Sequence, residues 1–175
     1  MELVNKPMER LILRPYKPHD AETIVSWIKN ERDFRKWSSD RYGAYPITSD
    51  DINHKYMECN GDCEEPDNFY PMTAVTAEGP VGHLILRYTD DAKKIIRIGF
   101  VIVDDTRRSM GFGKRMLQMA VRYAFDMLKA EKITLGVFAN NPSAYYCYKA
   151  AGFNEISMKE DIVDYFADPV PPVRI

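Results

Sequence analysis

The sequence predicts one α/β domain built on a mixed, mostly antiparallel sheet flanked by helices, and three observations lead there. Across Ile95–Val103, Ile96, Ile98, Phe100 and Ile102 alternate at period two, with Val101 and Val103 on the other face, the pattern of a half-buried strand. That strand runs through a short basic glycine turn into a helix of 3.6-residue spacing. Met116, Leu117, Ala120, Val121, Ala124 and Leu128 form its apolar face, and Arg115, Gln118, Arg122, Asp126 and Lys129 its polar one. Upstream, the strand-like runs Tyr70–Thr76 and Val81–Tyr88 flank Ala77–Pro80, a hairpin with a four-residue turn. Three consecutive antiparallel strands thus feed the central helix.

The remaining elements follow in order. Glu9–Pro15, with Leu11 and Leu13 on one face, reads as a first strand, and Asp20 stands at the N-cap position of a helix carrying Ile24, Trp27 and Ile28. Residues 32–50 mix aromatics, arginines and turn formers without a clear period. Thr48 and Asp51 resemble a capping box opening a second helix with Ile52, Tyr56 and Met57 on it. The acidic run ECNGDCEEPDN is a solvated loop. Past the central helix, Ile133–Phe138 is a strand. Asn141-Pro142 then signals a helix start, Ala144, Cys147, Tyr148 and Ala151 form one face of that helix, and Gly152 stops it. Phe153–Met158 is a candidate last strand. The tail from about residue 159 carries Pro169, Pro171 and Pro172 and has no firm assignment.

At 175 residues the chain suits one domain with a sizeable core, and nothing in it reads as a repeat or a dividing linker. A net charge of −2 argues against a general nucleic-acid binder. No apolar run approaches the ~18 residues of a membrane span, and the first residues lack a secretory pattern, so the expectation is a cytoplasmic protein without a membrane partner. Cys59, Cys63 and Cys147 are odd in number and lack zinc-ligand partners at useful spacing, so reduced thiols and no metal are expected.

Against that acidic background, Arg107, Arg108, Lys114 and Arg115 crowd the turn around Gly111 and Gly113. A helix start offers unpaired N–H groups and the positive end of the helix dipole, and glycines let an anion approach the backbone, so the turn suits a phosphate or pyrophosphate. It is not a P-loop, because Arg108 stands where the first glycine belongs and Arg115 follows Gly113-Lys114. Met116 occupies the third glycine of a dinucleotide fingerprint, and the preceding meander disfavours that fold as well.

What remains is Arg108-x-x-Gly111-x-Gly113, joined downstream by Asn141-x-x-Ala144-x-x-x-Tyr148 and Gly152-Phe153. Together these segments resemble the two signature segments of the GNAT (Gcn5-related N-acetyltransferase) superfamily, and the order of elements matches over nearly the whole chain. The resemblance implies the GNAT-like acyl-coenzyme A N-acyltransferase fold and an acetyl-coenzyme A-dependent transfer of an acetyl group to a primary amine by direct attack on the thioester. It implies that the backbone of Arg108, Ser109, Met110, Gly111, Phe112, Gly113 and Lys114 cradles the pyrophosphate, and that Ile102 and Val103 pair with the pantetheine arm as an added strand. The N–H of Ile102 would polarise the thioester carbonyl, Asn141 would bond the cofactor arm, and Tyr148 would protonate the departing thiolate as general acid. The family's strand glutamate has no counterpart, because Arg97 stands near its position. A non-catalytic acyl-coenzyme A sensor of the same fold is therefore the alternative.

The acceptor site is implied to lie between the first two helices. Asp33, Phe34, Trp37, Asp40 and Tyr42 there offer an aromatic wall with carboxylates, suited to a cationic small-molecule or peptide amine. The proline-containing tail is compatible with docking in a homodimer.

Overall fold

The computed structural model describes residues 8–38, 41–108, 110–138, 142–159 and 162–167. Period-two runs become β1 (Ile12–Pro15), β2 (Tyr70–Thr76), β3 (Gly79–Tyr88), β4 (Ile95–Val103), β5 (Lys132–Phe138), β6 (Asn154–Lys159) and β7 (Ile162–Ala167). The helices are α1 (Asp20–Ser26), α2 (Glu31–Ser38), α3 (Ser49–Asn53), α4 (Phe112–Asp126) and α5 (Pro142–Ala150). The strands form one seven-stranded sheet in the order β1-β2-β3-β4-β5-β7-β6, antiparallel throughout except for the parallel pair β4–β5. Among the described residues, no helix is long and apolar enough to cross a membrane.

The sheet separates two cores. On one face α4 buries Phe112, Met116, Leu117, Ala120, Val121 and Ala124 against Leu84, Leu86, Ile96, Ile98 and Leu135, with Tyr148 and Phe153 joining from α5 and its C-terminus. On the other, Ile24, Trp27, Phe34, Trp37 and Ile52 from α1–α3 pack on Ile85, Phe100 and Ile102.

Several local expectations are corrected. Asp20 is the first residue of α1, not its N-cap, and its fully buried carboxylate is otherwise engaged. It accepts from both Arg14 nitrogens at 2.7 and 2.9 Å, from the Thr73 hydroxyl at 2.9 Å and from the Lys17 N–H at 2.9 Å, which offsets the cost of burying a charge. The hairpin turn is shorter than expected, with Gly79 and Pro80 already inside β3. The aperiodic stretch after α1 contains α2. The Thr48–Asp51 capping box is present in both directions, at 3.2 and 2.9 Å. Part of the unassigned tail is β7, which inserts between β5 and β6.

The main correction concerns β4. Burial alternates along it from Ile96 to Ile102 without a break, yet the strand changes face midway. Ile98 lies opposite Leu86 and Gly99 opposite Ile85, but Ile102 lies opposite His83, so Phe100 and Val101 together face Leu84. This is a β-bulge, with Phe100 in the left-handed region at φ 50°. Ile96 and Ile98 therefore pack towards α4, while Phe100 and Ile102 pack towards α1–α3. Pairing of β4 with β5 runs from Ile95↔Lys132 to Ile98↔Leu135 and ends there, so the two strands splay beyond the bulge.

Candidate active site

The splay opens a cleft of about 1140 Å³ that runs from the turn before α4, along Gly99–Val103, to α2. Which backbone groups face it follows from register. Asp104 N–H donates to Val81 O at 2.8 Å, which makes Val81 and Asp104 a hydrogen-bonded pair. Such pairs recur at every second position of an antiparallel ladder, so His83 and Ile102 form the next one. The N–H of Ile102 thus points into β3, and those of Val101 and Val103 point into the splay. Val101 and Val103, and not Ile102, therefore present their N–H groups to the cleft, which corrects the expected direction of the Ile102 N–H. Nothing in the sequence signals this, because a bulge adds a residue without changing the apolar pattern.

At one end of the cleft, Asp104 caps a 3₁₀ turn (Asp105–Arg107) by accepting from the Thr106 N–H at 3.0 Å and its hydroxyl at 2.8 Å. Gly111, at φ 83°, turns the chain into α4 through a conformation that favours glycine. The first bond within the helix is Arg115 N–H to Gly111 O, at 3.1 Å, so the N–H groups of Phe112, Gly113 and Lys114 have no intrahelical partner. Gly113 has a second reason to be glycine. A Cβ there would lie 3.1 Å from Cys147 Sγ and 3.4 Å from Val103 Cγ2, so its absence lets α4, α5 and β4 converge.

The four cations of the turn divide into two pairs. Arg107 is committed to Glu9 at 2.5 Å and Glu78 at 3.2 Å and stacks over Phe112, and Arg115 donates to Glu9 O at 2.8 Å. Arg108 and Lys114 remain exposed, as does Met110. Ser109 and Asn141 lie outside the described residues.

Tyr148 lines the same cleft from α5 and is 6% exposed. Its position is fixed by how α5 ends. Gly152, at φ 102°, donates its N–H to Lys149 O at 3.1 Å, and Phe153 N–H donates to Tyr148 O at 3.0 Å. This is a Schellman motif, and its usual apolar contact is here the Tyr148 ring against Phe153, centroids 6.5 Å apart. The glycine and phenylalanine read from sequence as a stop signal therefore also hold the candidate acid.

At the other end, the expected acceptor wall is only partly assembled. Asp33 and Trp37 line the cleft, and Asp33 is the one carboxylate among the described residues that do. Phe34 is fully buried, and Tyr42 lies in the core, stacked on Trp37 at 5.7 Å, so neither contributes to the wall. Asp40 lies outside the described residues. The Trp37 indole N–H donates to the Phe100 carbonyl at 2.9 Å, which fastens α2 to the bulge.

A family model described as an acetyltransferase (GNAT) domain matches residues 10–154. Among solved structures, the spermidine N-acetyltransferase from Vibrio cholerae in complex with CoA and spermine superposes with a TM-score of 0.73 at 20% identity, over 90% of this chain and 95% of that one. The structure of AAC(6')-Ib in complex with ribostamycin and coenzyme A gives 0.72 at 18% identity, over 90% and 93% of the two chains. At such identities the likeness is one of fold.

Proposed function

The chain belongs to the GNAT acetyltransferase family, and on that premise we propose that it is an acetyl-coenzyme A-dependent N-acetyltransferase acting on a primary amine by direct attack on the thioester. One observation carries the reading. The splay between β4 and β5 opens a single cleft lined by the glycine turn at the start of α4, by Val101 and Val103, and by Tyr148.

Acetyl-coenzyme A would supply the thioester. The N–H groups of Phe112, Gly113 and Lys114, with the exposed charges of Arg108 and Lys114, hold its pyrophosphate. Val103 pairs with the pantetheine amide in place of the missing β5 ladder. The Val101 N–H is aimed where negative charge develops on the thioester oxygen, and such a donor is worth ~10²–10³ in rate. The amine nitrogen bonds to the carbonyl carbon as the carbon–sulfur bond breaks. Tyr148 gives its hydroxyl proton to the departing sulfur, and a proton lost by the amine restores it. β4 carries no carboxylate to serve as base, with Arg97 standing near the family's glutamate position, and the amine attacks in its neutral form.

Incubation with acetyl-coenzyme A and a panel of amines, with free thiol as the readout, tests the proposal. Thiol release that depends on the amine is expected. Coenzyme A binding without release for any amine would overturn the enzyme reading and leave the non-catalytic binding module. Binding itself is read from thermal stabilisation, ~2.7–4 kcal/mol at 100 to 1,000 times Kd.

A further inference from the structure

Past the bulge, on the side of the sheet that faces α2, the cleft wall is cationic. Arg87 and Arg97 lie directly opposite each other on β3 and β4, and Arg41 lines the same wall from the segment after α2. Like charges directly opposite across a ladder are destabilising. The half-buried Arg87 guanidinium is accordingly held below its ordinary pKa, first by burial and then by repulsion from Arg41 and Arg97. Among the described residues, neither Arg41 nor Arg87 has a carboxylate partner. Arg32 and Lys36 add to the same end, and Asp33 is its one carboxylate among the described residues.

This cluster is not at the pyrophosphate turn. Arg97 and Val103 are separated by ~20 Å of extended strand, and the thioester would lie between them, at Val101. The arginines therefore face the acceptor side. A polycationic acceptor would meet repulsion there, contrary to the cationic amine expected from the sequence.

We infer that the acceptor amine carries an oxyanion, a carboxylate or a phosphate, which Arg41 and Arg87 bind while the amine reaches towards Val101. The inference rests on the acetyltransferase reading and narrows its acceptor class. The forked guanidinium suits such groups, and an oxyanion would offset the repulsion between the Arg41 and Arg87 guanidinium groups.

Matched acceptors test it: phenylalanine and glycylglycine against their C-terminal amides, glucosamine 6-phosphate against glucosamine, and spermidine as a polycation. Thiol release should be at least ~10-fold more efficient, as kcat/KM, for the carboxylate or the phosphate form than for its neutral partner, and the preferred pair tells the two oxyanions apart. Arg87→Met, and separately the exposed-site change Arg41→Gln, should shrink that ratio about 10-fold, while coenzyme A binding measured by calorimetry reports whether each variant is folded. Equal or better turnover of spermidine or the neutral partners overturns the inference, as does an equal loss of coenzyme A affinity in the variants. Should no amine release thiol, the enzyme reading fails. Calorimetric titration of the same amines into the coenzyme A complex then decides this one, since oxyanion-dependent binding lost in Arg41→Gln upholds it and its absence ends it.

Discussion

The indole N–H of Trp37 donates to the main-chain carbonyl of Phe100 at 2.9 Å, and both residues are buried. Phe100 is the bulge residue at φ 50°, a conformation that costs a bulky L-residue ~1–2 kcal/mol. The bond, with the Trp37 and Phe100 rings 5.2 Å apart, holds that strained backbone in place. Trp37→Phe keeps an aromatic ring but strands the carbonyl. A stability loss of ~1–3 kcal/mol in denaturant melts is expected. In the proposed enzyme kcat should fall more than coenzyme A affinity, because the bulge aims the Val101 N–H. Unchanged kcat in a folded variant would show that the bulge keeps its shape without Trp37.

Tyr148→Phe removes one hydroxyl and keeps the ring that packs on Phe153. If that hydroxyl protonates the sulfur, kcat should drop by ~10²–10⁴ with melting temperature and coenzyme A affinity close to wild type. A parallel loss of affinity and stability would assign Tyr148 to packing alone.

Gly113→Ala sets a methyl group 3.1 Å from Cys147 Sγ, so either α5 or the start of α4 must shift. We expect weaker coenzyme A binding and a loss of ~1–3 kcal/mol in stability. Adding Cys147→Ala should restore most of both. A double-mutant cycle with no coupling would mean that the methyl group is accommodated elsewhere.

His83 is fully buried, its Nε2 lies 2.8 Å from the Tyr56 hydroxyl, and burial pushes its pKa down to about 3 from an ordinary 6.5. Between these values the unfolded chain takes up a proton that the folded one refuses. Stability is therefore whole above pH 6.5 and falls as pH drops through that window, by ~1.4 kcal/mol per unit where the difference is a full proton. Denaturant melts at pH 7 and pH 4.5 should show a loss of ~2–3 kcal/mol that is absent in His83→Gln. Equal slopes in the two proteins would show that folded His83 takes up its proton near the ordinary value.

These cases mark where the sequence was legible. Apolar periods find α4, which has one solvated and one packed side, and β4, whose buried residues alternate, whereas the β2–β3 hairpin is legible from apolar runs around Ala77–Pro80 because β3 is packed on both faces. The glycines were readable as turn formers, and Gly111 and Gly152 have the positive φ that made them so. The bulge was hidden, since Phe100 and Val101 are apolar like their neighbours and burial continues to alternate across it. The sequence therefore points to the Ile102 N–H as the group open to the cleft, whereas the register turns that group into β3 and opens Val101 instead. α2 escapes a reading by apolar period because its buried face holds only two large apolar residues, Phe34 and Trp37, with charged residues on the opposite side. The charge of the cleft is hidden too, since the register that sets Arg87 opposite Arg97 and the fold that brings Arg41 from the segment after α2 are not written in any local pattern.

The early end of the β4–β5 ladder at Ile98 and Leu135 has one more consequence. An open sheet ordinarily has two edges, and this one gains a further pair in its interior, where Val101 and Val103 on one side face the end of β5 on the other. Such rims are templates for pairing with any extended chain, and natural sheets blunt them with charge, proline or a cover. On β4 this rim is apolar and β-branched, at Val101 and Val103, and a pantetheine arm paired along it would supply the cover. Coenzyme A would then protect the protein against self-association as well as serve its chemistry, and light scattering on warming should begin at a higher temperature when it is present.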